Sequence, residues 1–293
     1  MKLAIVVDSS CGLTKEQAKK RGWHFLPLYI EINGKEYADG IDLTPESFSK
    51  IYKDGIETKT SCTPPGEAIK LFEELSKNND FVVVYPISQF LSSQVQNLDV
   101  LSKSFKNVFV IKSKNVAQLI VKELVEFEKS VLSNELTVKQ AIAKIENKDR
   151  STPEILLFPK TMDSLVKGGR LSPSAAKMAK LLKIVPVIGW KDGKLEKFTK
   201  GRIFNKVVPN VSIEHFEKLN GKNKKTSFMF LDTLNEQAED IFEQIRKETN
   251  YKKPYARFDI PPVIAIHTGF GAISVFFPEF ELDFKDYNFD QKE

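Results

Sequence analysis

Side chains able to hold an anion gather at three places in this chain: Thr60 and Ser61 in KTSCTPP, Ser92 and Ser93 in FLSS, and His267 in AIHTGFGA. Thr63-Pro64 reads as a helix cap followed by a first-turn proline, so Thr60 and Ser61 would stand beside a helix N-terminus whose free N–H groups favour negative charge. Capping needs only Thr63, which leaves two hydroxyls for a ligand. The runs Val263–Ile266 and Ala272–Phe277 are β-branched and aromatic with two glycines between them, a hairpin signal. A turn of that length needs no histidine. An imidazole with an unperturbed pKa of about 6.5 beside a carboxylate favours the protonated, doubly donating form. The bland alternatives are serines that cap helices and a histidine hydrogen-bonded to main chain.

No catalytic engine accompanies these donors. There is no GxxxxGK[ST], and HTGFGA lies between apolar runs rather than between a strand and a helix. No GxSxG elbow and no carboxylate pair suited to glycoside cleavage is present.

The elements that must position these groups alternate through the first half. Apolar runs Leu3–Val7, Phe81–Tyr85 and Asn107–Ile111 are separated by amphipathic helical stretches, with a capping box at Thr14 and Gln17 and a helix start at Thr44-Pro45. Strands of this kind imply a parallel sheet covered on both faces, which binds ligands beyond the carboxyl ends of its strands. There the chain places DSSCG, PISQFLSS and KSKN. A boundary is expected near Asn147–Pro153, giving an α/β domain over 1–152. A smaller α+β domain follows over 153–280, with a helix capped by Ser172, a hairpin at Lys191-Asp192-Gly193 and a closing hairpin around His267. An acidic tail is expected over 281–293.

The composition, 41% hydrophobic and 28% charged over 293 residues, suits a globular protein with a real core. The net charge of +5 is carried mostly by dispersed lysines, which argues against a nucleic-acid reader. No run is long and apolar enough for a membrane span or signal peptide, and a cytoplasmic location is expected. Cys11 and Cys62 stand far apart, and the three histidines lack metal-ligand spacing, so neither a disulfide nor a metal is expected. Both cysteines follow elements that converge on the sheet's carboxyl edge and are expected near the site.

Seven stretches in order, VVDSSCGLT, LPLYIEINGKEYADGIDLTPESF, KTSCTPPGE, PISQFLSSQVQ, TMDSLVKGGRLS, LLKIVPVIGWKDGKLEKFTKGR and VIAIHTGFGA, resemble the DegV family of bacterial fatty-acid-binding proteins. The resemblance implies a two-domain α/β fold, a parallel Rossmann-like sheet domain plus a smaller α+β domain, holding a long-chain fatty acid in a buried tunnel. It implies carboxylate contacts from Thr60, Ser61, Ser92 and His267, with Ser93 beside them. Arg170 and Arg202 match basic positions at the site mouth, where a fatty acid kinase would dock and phosphorylate the bound carboxylate. On this reading the chain is a lipid-binding, substrate-presenting protein rather than an enzyme, with no cofactor beyond its ligand. Ser93-Gln94 stands where the family usually reads Gly-Thr, Cys62 where Gln is usual and Phe270 where Pro is usual. Two alternatives stay open: an enzyme or phosphocarrier using His267 on a small phosphorylated substrate, and a regulatory module that binds lipid and then a partner.

Overall fold

The computed structural model describes residues 1–53, 56–177, 184–220 and 226–279. The expected acidic tail and the continuation of the Ser172-capped helix lie outside the described residues. The chain divides into two compact units, Met1–Asp149 with Pro261–Val263, and Arg150–Ile260 with Ile264–Glu293.

The first unit runs β1 (Leu3–Asp8), α1 (Lys15–Lys20), β2 (His24–Leu26), β3 (Tyr29–Ile32), β4 (Lys35–Ala38), α2 (Pro45–Ile51) and β5 (Thr58–Ser61). It continues through α3 (Pro65–Asn78), β6 (Phe81–Tyr85), α4 (Gln94–Ser102), β7 (Val108–Val110), α5 (Gln118–Leu132) and α6 (Val138–Glu146). Four strands form a parallel sheet in the order β2-β1-β6-β7. Ala4, Ile5, Val6 and Val7 are all buried, so both faces of β1 are covered, as continuous apolar runs require. Ala4 and Val6 pack with Phe72 and Leu75 of α3 and Leu98 of α4 in one core cluster. Burying a side chain of this size contributes about 1.5–3 kcal/mol. Thr14 and Thr44 cap α1 and α2 with reciprocal side-chain bonds.

The stretch HFLPLYIEI is two strands broken at Pro27, not one extended segment. Its second half, β3, pairs antiparallel with β4 and β5 in a separate three-stranded sheet. Asn33 and Gly34 both take positive φ, 49° and 78°, and close β3 onto β4 as a two-residue turn. That sheet sets the direction of Thr58–Ser61, the strand leading into the hydroxyl-rich loop.

The second unit contains β8 (Ile155–Phe158), α7 (Asp163–Gly168), α8 (Pro173–Ala176), β9 (Val185–Lys191), β10 (Lys194–Gly201) and α9 (Phe204–Asn220). Then come β11 (Met229–Asp232), α10 (Ala238–Glu248), β12 (Ala256–Asp259), α11 (Pro262–Thr268) and β13 (Ile273–Phe276). The mixed sheet has the order β10-β9-β8-β13-β11-β12. The Asp192-Gly193 turn is present, and Ser172 caps α8 through the Ala175 N–H. Phe158, Phe228, Phe230, Phe242 and Phe277 are fully buried in an aromatic-rich core.

The hairpin expected around His267 is not formed: Val263–Ile266 is helical, and only Ile273–Phe276 is a strand. Pro262 opens the helix, where a proline's fixed φ is favourable and its missing N–H costs nothing. Gly269, at φ 86°, closes it, its N–H donating to the Ala265 carbonyl at 2.8 Å. Burial of Val263 and Ile266 overrides their preference for strand.

Candidate functional site

In the first unit the expected head-group residues lie where the end of β5 and the loop after β6 come together. Thr60 and Ser61 end β5, Thr60 half-buried and Ser61 exposed. Successive strand residues point to opposite faces, so the two hydroxyls do not act as a side-by-side pair. Thr63 does not cap α3. Pro64 occupies the cap position without a side-chain bond, and the Thr63 hydroxyl donates to the Pro27 carbonyl at 2.7 Å. Pro64 and Pro65 carry no N–H, so this helix start offers fewer anion donors than the sequence reading expects.

Ser92 is half-buried. Its oxygen accepts from the Gln94 N–H at 3.2 Å and lies 3.5 Å from the Cys62 sulfur. Cys62 therefore stands beside the proposed head-group hydroxyl, although the strand before it belongs to the three-stranded sheet and not to the parallel one. Ser93 is exposed at the start of α4 and makes no side-chain cap bond. Gln94 is fully buried, and its amide meets Thr63 twice: Oε1 accepts from the Thr63 N–H at 3.1 Å, and Nε2 donates to Oγ1 at 2.7 Å.

Many other hydroxyls at the sheet's carboxyl edge serve the fold. Ser10 donates to Asp8, Ser9 accepts from the Leu28 N–H at 3.1 Å, and Ser88 accepts from the Phe90 N–H at 3.3 Å. Ser113 bonds the main chain of Asn115. The DSSCG segment instead surrounds two buried acids that the sequence reading passed over. Asp8 accepts from the main-chain N–H groups of Ser10 and Ile87, yet burial outweighs these bonds and pushes its pKa up to about 6. Burial pushes Asp39 up to about 8. The Ser9 hydroxyl and the N–H groups of Val263 and Gly40 face it, but neither oxygen has a bond of full geometry. Cys11 is fully buried, and its thiol is pushed well above the usual range by burial and then by the charges of Asp8 and Asp39. An acid directly after a buried strand is the signal that would have found Asp8.

In the second unit His267 occupies the last turn of α11 and packs against α7. A Cβ on Gly168 would lie 2.5 Å from His267 Nδ1, so only glycine admits the ring in this position. Arg170 donates through Nη1 to the Gly168 carbonyl, which holds its guanidinium at the same place. Burial, and secondarily the Arg170 charge, pushes His267 down to about 4. Without a carboxylate beside it the ring is neutral at physiological pH, rather than the protonated form expected next to a bound anion. Arg202 is exposed at the end of β10. Phe270 is exposed in the turn after α11, between two glycines at positive φ.

His215 is a different kind of histidine. Its Nε2 lies 2.8 Å from the Pro153 carbonyl, and its ring meets Phe198 and Phe277 edge-on, a purely internal role. Among the described residues no cluster of metal-ligating side chains occurs, and no helix is long and apolar enough to cross a membrane.

A unit with a parallel four-stranded sheet followed by a unit with a six-stranded mixed sheet defines a two-part α/β protein, and solved structures share the fold. A fatty-acid-binding DegV family protein from Thermus thermophilus matches with a TM-score of 0.80 at 22% identity, covering 95% of this chain and 100% of that one. DegV, a fatty acid binding protein from Bacillus subtilis, matches at 0.80 and 22%, covering 94% and 99%. A family model described as "Uncharacterised protein, DegV family" matches residues 2–279. A DegV domain-containing protein of Mycoplasmopsis pulmonis is 44% identical over 278 residues, 94% of this chain and 94% of the relative. The chain belongs to the DegV family.

Proposed function

We propose that this chain binds a long-chain fatty acid in a buried tunnel, its carboxylate held by a hydroxyl from the Thr60-Ser61 pair, a hydroxyl from the Ser92-Ser93 pair, and His267. In this reading the protein does no chemistry itself. It presents the carboxylate to a partner fatty acid kinase, with Arg170 and Arg202 as the docking residues. The observation that carries the reading is the seating of His267, a histidine held neutral at a glycine-only contact with a guanidinium beside it, in a chain whose structural relatives are described as fatty acid binding.

The energetics favour an acyl ligand. Each buried methylene contributes about 0.8 kcal/mol, so a tail of about fourteen supplies roughly 11 kcal/mol before the costs of association. An unpaired carboxylate would cancel much of this, whereas each hydrogen bond to a charged group returns about 1.5–3 kcal/mol. The imidazole supplies an N–H donor and hydroxyls supply others. A bound carboxylate raises the ring's pKa and favours its protonated, doubly donating form.

The test is His267→Ala. Loss of one charge-assisted bond is expected to speed palmitate dissociation by about tenfold to a hundredfold, with wild-type retention contradicting the head-group assignment. Arg202→Ala is expected to keep palmitate and slow phosphorylation by a fatty acid kinase. Loss of palmitate from that variant would contradict the docking role.

A further inference from the structure

Resting on the carboxylate reading, we propose that Gln94 is a positioning residue that aims the Ser92 hydroxyl as a donor and so favours acceptor-only head groups. Four residues from two loops close a ring of contacts. The Gln94 main-chain N–H donates to Ser92 Oγ at 3.2 Å, and the Gln94 side chain holds Thr63 at 3.1 and 2.7 Å. Thr63 is bonded in sequence to Cys62, whose sulfur returns to Ser92 Oγ at 3.5 Å. Gln94 and Thr63 are nine-tenths or more buried, so their polar atoms have no water to fall back on.

The ring has one consistent sense of donation. Thr63 Oγ1 gives its proton to the Pro27 carbonyl at 2.7 Å, so toward Gln94 it can only accept. That fixes the amide with its NH₂ toward the hydroxyl and its oxygen toward the Thr63 N–H, because the flipped amide would set donor against donor and acceptor against acceptor. With the amide locked, the first turn of α4 is locked, and its N–H occupies a lone pair of Ser92. Toward the Cys62 sulfur, 3.5 Å away, either group can donate, and when the serine donates the sulfur is only a weak acceptor. A carboxylate oxygen displaces it readily. An alcohol or amide head group brings a proton of its own and forms the weaker neutral bond in its place. A site built around a fixed donor discriminates more sharply than one whose hydroxyls rotate freely.

The experiment compares hexadecanoate with hexadecanol, in direct competition, on the full chain carrying Gln94→Leu, Thr63→Val or Thr63→Ser. Thr63→Val keeps the side-chain shape and the N–H while removing the hydroxyl, so it reports if the leucine variant fails to fold. The expected result is a preference for the acid that falls at least about fivefold in the leucine and valine variants. The serine variant should restore it to within about twofold. A residue acting only on stability would lower the melting temperature and leave that preference intact, which would overturn the proposal. Wild-type protein that binds neither compound would instead overturn the fatty-acid reading beneath it, so the two failures are distinguishable.

Discussion

Around Ser92 the first unit fixes its polar groups by hydrogen bonds: Gln94 grips Thr63 at two points, and its own N–H holds the serine. Around His267 the second unit does it by shape, with a missing Cβ at Gly168 and a guanidinium pinned to that glycine's carbonyl. The two means fail differently. A hydrogen-bonded loop accepts a substitution that keeps the donor pattern, whereas a steric seat accepts none that adds an atom. The group around Ser92 is neutral and directional, and the group around His267 carries the Arg170 charge.

Gly168→Ala breaks the comparison hardest. The new methyl would sit 2.5 Å from the ring nitrogen and must displace the imidazole or α7. Overpacking of this kind costs about 1–3 kcal/mol. Palmitate dissociation measured by stopped-flow displacement should speed up at least about tenfold. An unchanged rate would show that the ring does not need this seat.

The two units also titrate in opposite senses. Asp8 and Asp39 keep their protons up to about 6 and 8 in the folded state, against 3.8 for an ordinary aspartate carboxyl. Their contribution to stability is therefore full below the unfolded value and is lost as pH rises through the folded values. His267 runs the other way, at about 4 folded against 6.5. Its contribution is full above 6.5 and is lost as pH falls toward 4. Asp39→Asn should remove a fall in stability between about pH 4 and 8, and His267→Asn a rise between about pH 4 and 6.5, read as urea midpoints across that range. An unaltered slope in either variant would contradict the corresponding burial.

The smallest expected effect on retention sharpens the contrast within one unit. His215→Gln should lower stability, because the ring between Phe198 and Phe277 is lost, yet keep palmitate dissociation within about twofold of wild type, since surface-distant core changes act mainly on folding. A large rise in dissociation would mean that histidine burial, rather than the seat at Gly168, governs the site.

Much of the fold was legible because its signals are local. Continuous apolar runs gave β1, β6 and the parallel sheet, and Thr14, Thr44 and Ser172 announced their helices through capping chemistry. Asn33-Gly34 carries the same turn signal as Asp192-Gly193, but the short strands it joins lack the continuous apolar runs that mark the parallel sheet. The segment before His267 misled because Val and Ile favour strands in isolation, while the Pro262 start and the Gly269 stop declare a helix. Thr63 misled for a related reason: a threonine before proline resembles a cap, but its hydroxyl is bonded to Pro27, 36 residues away in sequence. Contacts of that kind, like the approach of Gly168 to His267, leave no periodic trace in the chain.

Native mass spectrometry of the full chain purified from a bacterial host tests the central claim most directly. One long-chain fatty acid per protein, released as the free acid on denaturation, is the predicted result. A chain that emerges empty, or carries a small phosphorylated metabolite instead, would contradict it.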